Sequence, residues 1–334
     1  MRIAVIGAGA IGNLIAGYLK LKGEDVYLVG RGEALQAISN NGLKISGVRG
    51  DFKVDIGIYD ALVSNPELVI LATKTQDIGQ ALKDNLNRIK GSIVLTTQNG
   101  LAAERIAAGF LAKENIFSSI VMFGATCLEA GKVIHNFEGS WVLGNLFSES
   151  MDPRLLPLSL VSDKAFPSVI SAEILGMKYL KVFVNANNCI PAILGVSMQE
   201  AFLDPKISGI SVAIWREGFR VISKARIKLV SLPGFPVENI TRLVALEPEK
   251  AADVFSGIMG KLSRDPLYGS ILQSIKRGRP SEIDYINGEF VSLARRCNLK
   301  ADLNQRLVEM VHEVEKSRSF FTRLELLNAT QGFL

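Results

Sequence analysis

The chain has 334 residues, of which 48% are hydrophobic and 21% charged, with a formal net charge of +5. That length allows two domains, each with its own core, and a mean hydropathy of +0.24 excludes disorder, which needs low hydrophobicity and high net charge. The basic excess is scattered, with Lys276-Arg277-Gly278-Arg279 among its densest runs, so the clustered charge of a nucleic-acid-binding face is missing and no nucleic-acid partner is expected.

In chain order, RIAVIGA (2–8) reads as a buried strand and is followed by a helical stretch from Ala10 to Lys22. VYLVG (26–30), LVILATK (68–74) and SIVLTTQNG (92–100) read as further strands. Continuous β-branched and aliphatic runs separated by helices predict a parallel sheet covered on both faces. Residues 119–147 change to strands joined by Gly turns and are expected to add antiparallel members at the sheet edge. Three prolines in 151–168 close this first domain. Beyond it the pattern is almost wholly helical: 173–194 as one long segment, then 208–227, 248–262, 280–296 and 302–319, with a loop at 231–236. The expected fold class is α/β, with a doubly wound sheet over 1–171 and an all-helical domain over 172–334. The tail 320–334 carries no functional reading.

Gly7, Gly9, Gly12, Asn13 and Gly17 interrupt the apolar N-terminus, so a signal peptide is not expected. No run of ~18 uninterrupted apolar residues predicts a membrane span. Cys127, Cys189 and Cys297 are odd in number and far apart, and His135 and His312 are isolated. That pattern argues against disulfides and against a metal site, and fits a reducing, cytoplasmic compartment. Both histidines are expected to be structural, and Trp141 and Trp215 to be packing aromatics.

The segment Gly7-Ala8-Gly9-Ala10-Ile11-Gly12 is a G-x-G-x-x-G motif between a predicted strand and a predicted helix. In that context Gly7 permits a tight turn, Gly9 admits a pyrophosphate to the backbone, and Gly12 allows close helix–strand packing. The helix N-terminus then receives the phosphate charge. Sites that prefer NAD carry an acidic residue about 20 residues on. Here the second strand ends in Gly30-Arg31, and a guanidinium suits a 2′-phosphate, so NADPH is the expected cofactor. Lys74 and Asn99 fall at the C-terminal ends of strands, where ligands of open α/β sheets gather.

Together with the glycine loop, ATKTQD (72–77), TQNG (97–100), the pair Lys181 and Asn185, and SEIDYINGEF (281–290) resemble the ketopantoate reductase family over about residues 1–315. The resemblance implies a Rossmann-type NADP-binding domain joined to a helical domain like that of 6-phosphogluconate dehydrogenases, acting on a small 2-oxo acid. It implies that Lys181 is the general acid and Glu282 an active-site carboxylate that also meets the cofactor. Asn185 would hold the substrate's hydroxyl end, Ser270 its carboxylate, Lys74 a cofactor phosphate, and Asn99 the nicotinamide and substrate. Lys178, one turn before Lys181, lacks the asparagine at +4. The family's second asparagine, eight residues after the lysine, is Cys189 here. On a regular helix of ~100° per residue Asn188 lies ~20° from Lys181 and Cys189 ~80°, so Asn188 could supply the missing amide. Asp284 reads as a structural carboxylate. The departure at Cys189 keeps a second activity open, reduction of another branched 2-oxo acid, and an inactive NADPH-binding sensor is a third reading. A helical second domain rich in apolar surface suits a homodimer.

Overall fold

Strands made of aliphatic residues without polar interruption must be covered on both faces, and the first unit of the chain does this. The computed structural model describes residues 1–334 apart from Glu149, Leu262, Arg264 and Leu334. It divides into two compact units, Met1–Leu175 and Gly176–Leu334, against an expected boundary at 171/172. Leu262, the expected end of a helix, and Leu334, the end of the second domain, lie outside the described residues.

The strands of the first unit are β1 (Arg2–Ile6), β2 (Asp25–Val29), β3 (Leu43–Gly47), β4 (Phe52–Val54), β5 (Ile58–Tyr59), β6 (Leu68–Leu71), β7 (Ile93–Thr96), β8 (Ile116–Val121), β9 (Gly124–Glu129), β10 (Lys132–Phe137), β11 (Trp141–Gly144) and β12 (Ser168–Ile170). Between them run helices α1 (Ala10–Leu21), α2 (Gly32–Asn41), α3 (Ile78–Ile89), α4 (Ala102–Ala107) and α5 (Leu155–Asp163). The main sheet has the order β12-β11-β8-β7-β6-β1-β2-β5. It is parallel except where β11 meets β8. β1 is central, with Val5 opposite both Leu28 and Ile70. Its residues alternate between two cores: Ile3 and Val5 pack with Leu14, Leu28 and Phe117, whereas Ala4 and Ile6 pack with Val69, Ile78 and Leu82.

The expectation for 119–147 needs correction. β8 joins the main sheet parallel to β7 and β11 adds to it antiparallel to β8, but β9 and β10 leave it for a second sheet, β4-β3-β10-β9. In β10 Val133 and His135 are buried while Lys132, Ile134 and Asn136 on the other face are exposed. A strand with one wet face cannot sit inside a sheet covered on both sides. His135 is structural as expected. Its Nδ1 lies 3.0 Å from the Tyr18 hydroxyl and its Nε2 3.0 Å from the Phe137 carbonyl. Desolvation holds its pKa below the ordinary value.

The second unit is helical: α6 (Ile174–Ala186, which begins just ahead of it), α7 (Cys189–Leu194), α8 (Met198–Phe202), α9 (Pro205–Lys224), α10 (Glu238–Ala245), α11 (Pro248–Gly260), α12 (Ser270–Lys276), α13 (Asn287–Arg296), α14 (Asp302–Ser317) and α15 (Arg323–Thr330). α9 starts where Asp204 accepts from the Lys206 amide and Pro205 takes the first turn. Its Trp215 packs edge-on against Phe255 of α11, and Phe183 of α6 meets Phe290 of α13.

The segment expected as one helix over 173–194 is two, because Pro191 has no amide hydrogen and its ring would strike the carbonyl four residues back. α6 therefore ends at Ala186 and α7 restarts at Cys189, which leaves Pro191 in a first turn where proline is tolerated. One carbonyl freed by this break, that of Phe183, accepts from the Trp215 indole at 2.7 Å.

Candidate active site

In the first unit the three loop glycines are set by three different steric demands. Gly7 has φ +118°, and a Cβ there would stand 2.5 Å from the Ala72 carbonyl carbon. A Cβ on Gly12 would reach within 1.9 Å of the Gly7 carbonyl oxygen. At Gly9 a Cβ would meet nothing within 4 Å, so the backbone there faces open space. Gly9 is also the N-cap of α1, and it brings no side chain to the helix's first amides. Those amides, with Ala8, Ala10 and Ile11 around them, are thus available to an anion. Next to Gly7, the buried Thr73 hydroxyl has no hydrogen-bond partner among the described residues. An open cradle, an uncapped helix of twelve residues and an orphaned hydroxyl together fit a dinucleotide phosphate.

Arg31 is the N-cap residue of α2, and its guanidinium pairs with Asp84 of α3. Asp84 also accepts from the Gln80 amide at 2.7 Å. The bond from Arg31, then that from Gln80, hold the Asp84 carboxyl below its ordinary range. Lys74, expected to end a strand, lies three residues past β6 and opens a 3₁₀ turn over Thr75–Asp77. Gln98 donates to the carbonyls of Leu71 (3.0 Å) and Thr73 (2.9 Å), lacing the loops after β6 and β7 together and fixing the half-buried Asn99 beside it.

In the second unit Lys181 is half-buried on α6, and desolvation pulls its ammonium from 10.5 down to about 8. Asn185 follows one turn later, half-buried, while Lys178 is buried at 2% exposure. The break after Ala186 removes the regular helix that would have set Asn188 by rotation from Lys181. Asn188 instead lies against Gly269, the residue that precedes Ser270 at the start of α12.

Cys189, a substrate-binding candidate as the residue in place of the family's second asparagine, packs in the core. Its thiol is fully buried in the helical core, where the Asn287 amide donates to it at 3.7 Å, and burial pushes its pKa up to about 12. A thiol so placed packs rather than presenting a hydrogen bond at a surface.

Glu282 was expected in the first turn of a helix. It lies instead ahead of a 3₁₀ turn, Ile283–Tyr285, and α13 begins only at Asn287. It is nearly buried, at 8% exposure.

With this geometry in place, residues 3–147 match the family described as Ketopantoate reductase PanE/ApbA, and residues 173–315 match Ketopantoate reductase PanE/ApbA C terminal. The chain belongs to the ketopantoate reductase family. It is similar to the 2-dehydropantoate 2-reductase of Pyrococcus abyssi, 30% identical over 307 residues that cover 91% of this chain and 94% of that one. It is also similar to the 2-dehydropantoate 2-reductase of Pyrococcus horikoshii, 29% identical over 318 residues covering 94% and 98%. Among solved structures, the ternary structure of D-mandelate dehydrogenase with NADH and anilino(oxo)acetate is similar with a TM-score of 0.81 at 26% identity, covering 95% of this chain and 99% of that one. As a member of the ketopantoate reductase family, the chain is an NAD(P)-dependent oxidoreductase acting on CH–OH groups. Among the described residues no helix is long and apolar enough to cross a membrane, and none of the His, Cys, Asp and Glu form a cluster that could hold a metal ion.

Two carboxylates, the buried Glu104 and the half-buried Glu217, have partners that the sequence did not reveal. Glu104 of α4 accepts from Thr96 (2.6 Å) and Ser118 (2.8 Å), fastening β7 and β8 below the Asn99 loop. Glu217 of α9 accepts from the amides of Leu303 and Asn304 and from the Asn304 side chain, capping α14. The available signal was a carboxylate within a mostly apolar helical stretch, which alone does not name its partners.

Proposed function

We propose that the chain reduces 2-dehydropantoate to (R)-pantoate with NADPH, a step of pantothenate biosynthesis, in the cytoplasm and as a homodimer. The single observation that carries this reading is the placement of Lys181 and, one turn on, Asn185 on α6, with the buried Val182 and Phe183 between them, where desolvation lowers the ammonium to about 8. The bound cofactor supplies the hydride for the C2 carbonyl. Lys181 in its charged form draws the carbonyl oxygen, stabilises the growing alkoxide and donates a proton from Nζ. A pKa of about 8 keeps it largely protonated at neutral pH yet a ready donor. Glu282 favours the charged lysine, Asn185 and Asn188 take the substrate's hydroxyl end, and Ser270 takes its carboxylate.

In the first unit the Gly7–Gly12 loop and the α1 amides hold the pyrophosphate. Lys74 and Arg31 meet the remaining phosphate charge, with Arg31 shared between Asp84 and a 2′-phosphate, and Asn99 contacts the nicotinamide ring. The fit of the cradle at Gly9 supports the dinucleotide, and the guanidinium at the end of β2 supports the phosphorylated form.

A second reading is favoured by Cys189. With that thiol turned into the core, the family's second hydroxyl-binding amide is absent at its usual place, and a substrate with an apolar end is the natural alternative. The D-mandelate dehydrogenase likeness supports the same direction. The test is oxidation of reduced cofactor, followed by absorbance, with 2-dehydropantoate, 2-oxoisovalerate and benzoylformate. A clear preference for 2-dehydropantoate supports the first reading, and preference for a substrate without the hydroxyl supports the second. Cofactor binding with no reduction of any 2-oxo acid refutes both and leaves a sensor.

A further inference from the structure

His312 of α14 has a carboxylate oxygen at each ring nitrogen. Its Nε2 is 3.0 Å from Asp284 Oδ1, in the 3₁₀ turn, and its Nδ1 is 3.0 Å from Glu315 Oε2, one turn along its own helix. Glu315 turns its other oxygen to the Ser281 backbone amide, which donates to it at 2.7 Å. Residues 281 and 284 flank Glu282, so both sides of that carboxylate's segment are tied to one imidazole. Ionised carboxylates only accept hydrogen bonds, so both ring nitrogens must carry a proton, and the arrangement is complete only for the imidazolium.

We propose that His312, as an imidazolium, is the positioning residue that clamps the Ser281–Asp284 segment and thereby holds the Glu282 carboxylate in place. The proposal rests on the reading of Glu282 as a catalytic group.

The charged groups that face His312 are Asp284 on the 3₁₀ turn and Glu315 on α14. Glu309 and Glu313 on the same helix are engaged with Arg306, and Glu289 of α13 pairs with Arg296. Desolvation alone would lower the imidazole, but the bonds to Asp284 and Glu315 outweigh it, and the net shift is upward from 6.5. With its folded pKa raised, the clamp is complete below 6.5 and is lost as pH rises through the folded value. The neutral ring keeps one donor and turns a lone pair toward the other carboxylate.

The experiment is an NMR titration of the imidazoles in the full chain, alongside kcat and KM for 2-dehydropantoate across pH. It compares wild type, His312→Gln and Asp284→Asn, with Glu282→Gln as reference. The buried His135, lowered rather than raised, serves as the internal contrast. One imidazole should titrate above 6.5 and fall toward 6.5 in Asp284→Asn. Across that same pKa the wild-type kcat should drop roughly fivefold, as for the loss of about 1 kcal/mol, with KM changing less. In His312→Gln this step should vanish and leave only the step near 8. A kcat that ignores the imidazole titration, or a wild-type profile in His312→Gln, overturns the proposal. If Glu282→Gln keeps wild-type kcat, the catalytic reading of Glu282 fails by itself. In that case an imidazole whose titration is unmoved in Asp284→Asn still overturns the clamp.

Discussion

An ammonium that has lost part of its water releases its proton early, and Lys181 ties activity and stability to that one fact. Lys181→Ala should cost at least ~10²-fold in kcat, as expected for a general acid, checked by steady-state cofactor oxidation. Reduction by the wild type should decline as pH passes about 8, where Nζ loses its proton. The stability effect has the opposite sense. Because the folded pKa is lowered, the unfolded chain binds more protons between about 8 and 10.5, so stability rises with pH across that window. Lys181→Met should therefore abolish turnover while raising Tm by a few degrees, at roughly 2–4 °C per kcal/mol. The glycines give a second contrast at this scale. Gly9→Ala should leave Tm unchanged and weaken cofactor binding at least ~10-fold by fluorescence titration, whereas Gly12→Ala should unfold at lower temperature because its Cβ has no room. These residues were legible because strict spacing around a strand end has few steric solutions. The tie between Arg31 and Asp84 was not legible, since it joins α2 and α3 through residues far apart in sequence.

At the scale of elements, the capping of α14 is the clearest energetic feature. Glu217 satisfies two backbone amides and one side-chain amide there. Glu217→Ala should cost about 2 kcal/mol, read as a lower urea midpoint with the slope unchanged. The main strands were readable because burial on both faces writes continuous aliphatic runs. The second sheet was not, because β3 and β10 pair in parallel across most of the unit, and such pairing leaves no local turn signal. The division of 173–194 into α6 and α7 was present in the sequence as Pro191. Its steric consequence for the helix is what the structure adds. The same break changes the reasoning at Asn188, whose neighbour is Gly269 by tertiary packing rather than Lys181 by helical rotation.

For the molecule as a whole, a cofactor that binds the folded first unit stabilises it by mass action. NADPH at 100 times its Kd should add about 2.7 kcal/mol, visible in calorimetry as an upward shift of the transition that belongs to this unit. Acid should act on the same unit through His135. Its folded pKa is lowered, so the unfolded chain takes up a proton near 6.5 that the fold refuses, and stability falls as pH drops below that value. Urea midpoints at neutral and mildly acid pH would show it. The sheet order carries a further consequence for how the chain is made. β1 lies inside the sheet and precedes all its partners in the chain, yet β3 waits for β10 and the edge is sealed only by β12. The chain must therefore be released through β12 before the first unit can close, and until then β8 lacks β11 and β11 lacks β12. Such long-range closure slows folding, so the growing polypeptide passes through an interval in which its most apolar strands stay open to capture by chaperones.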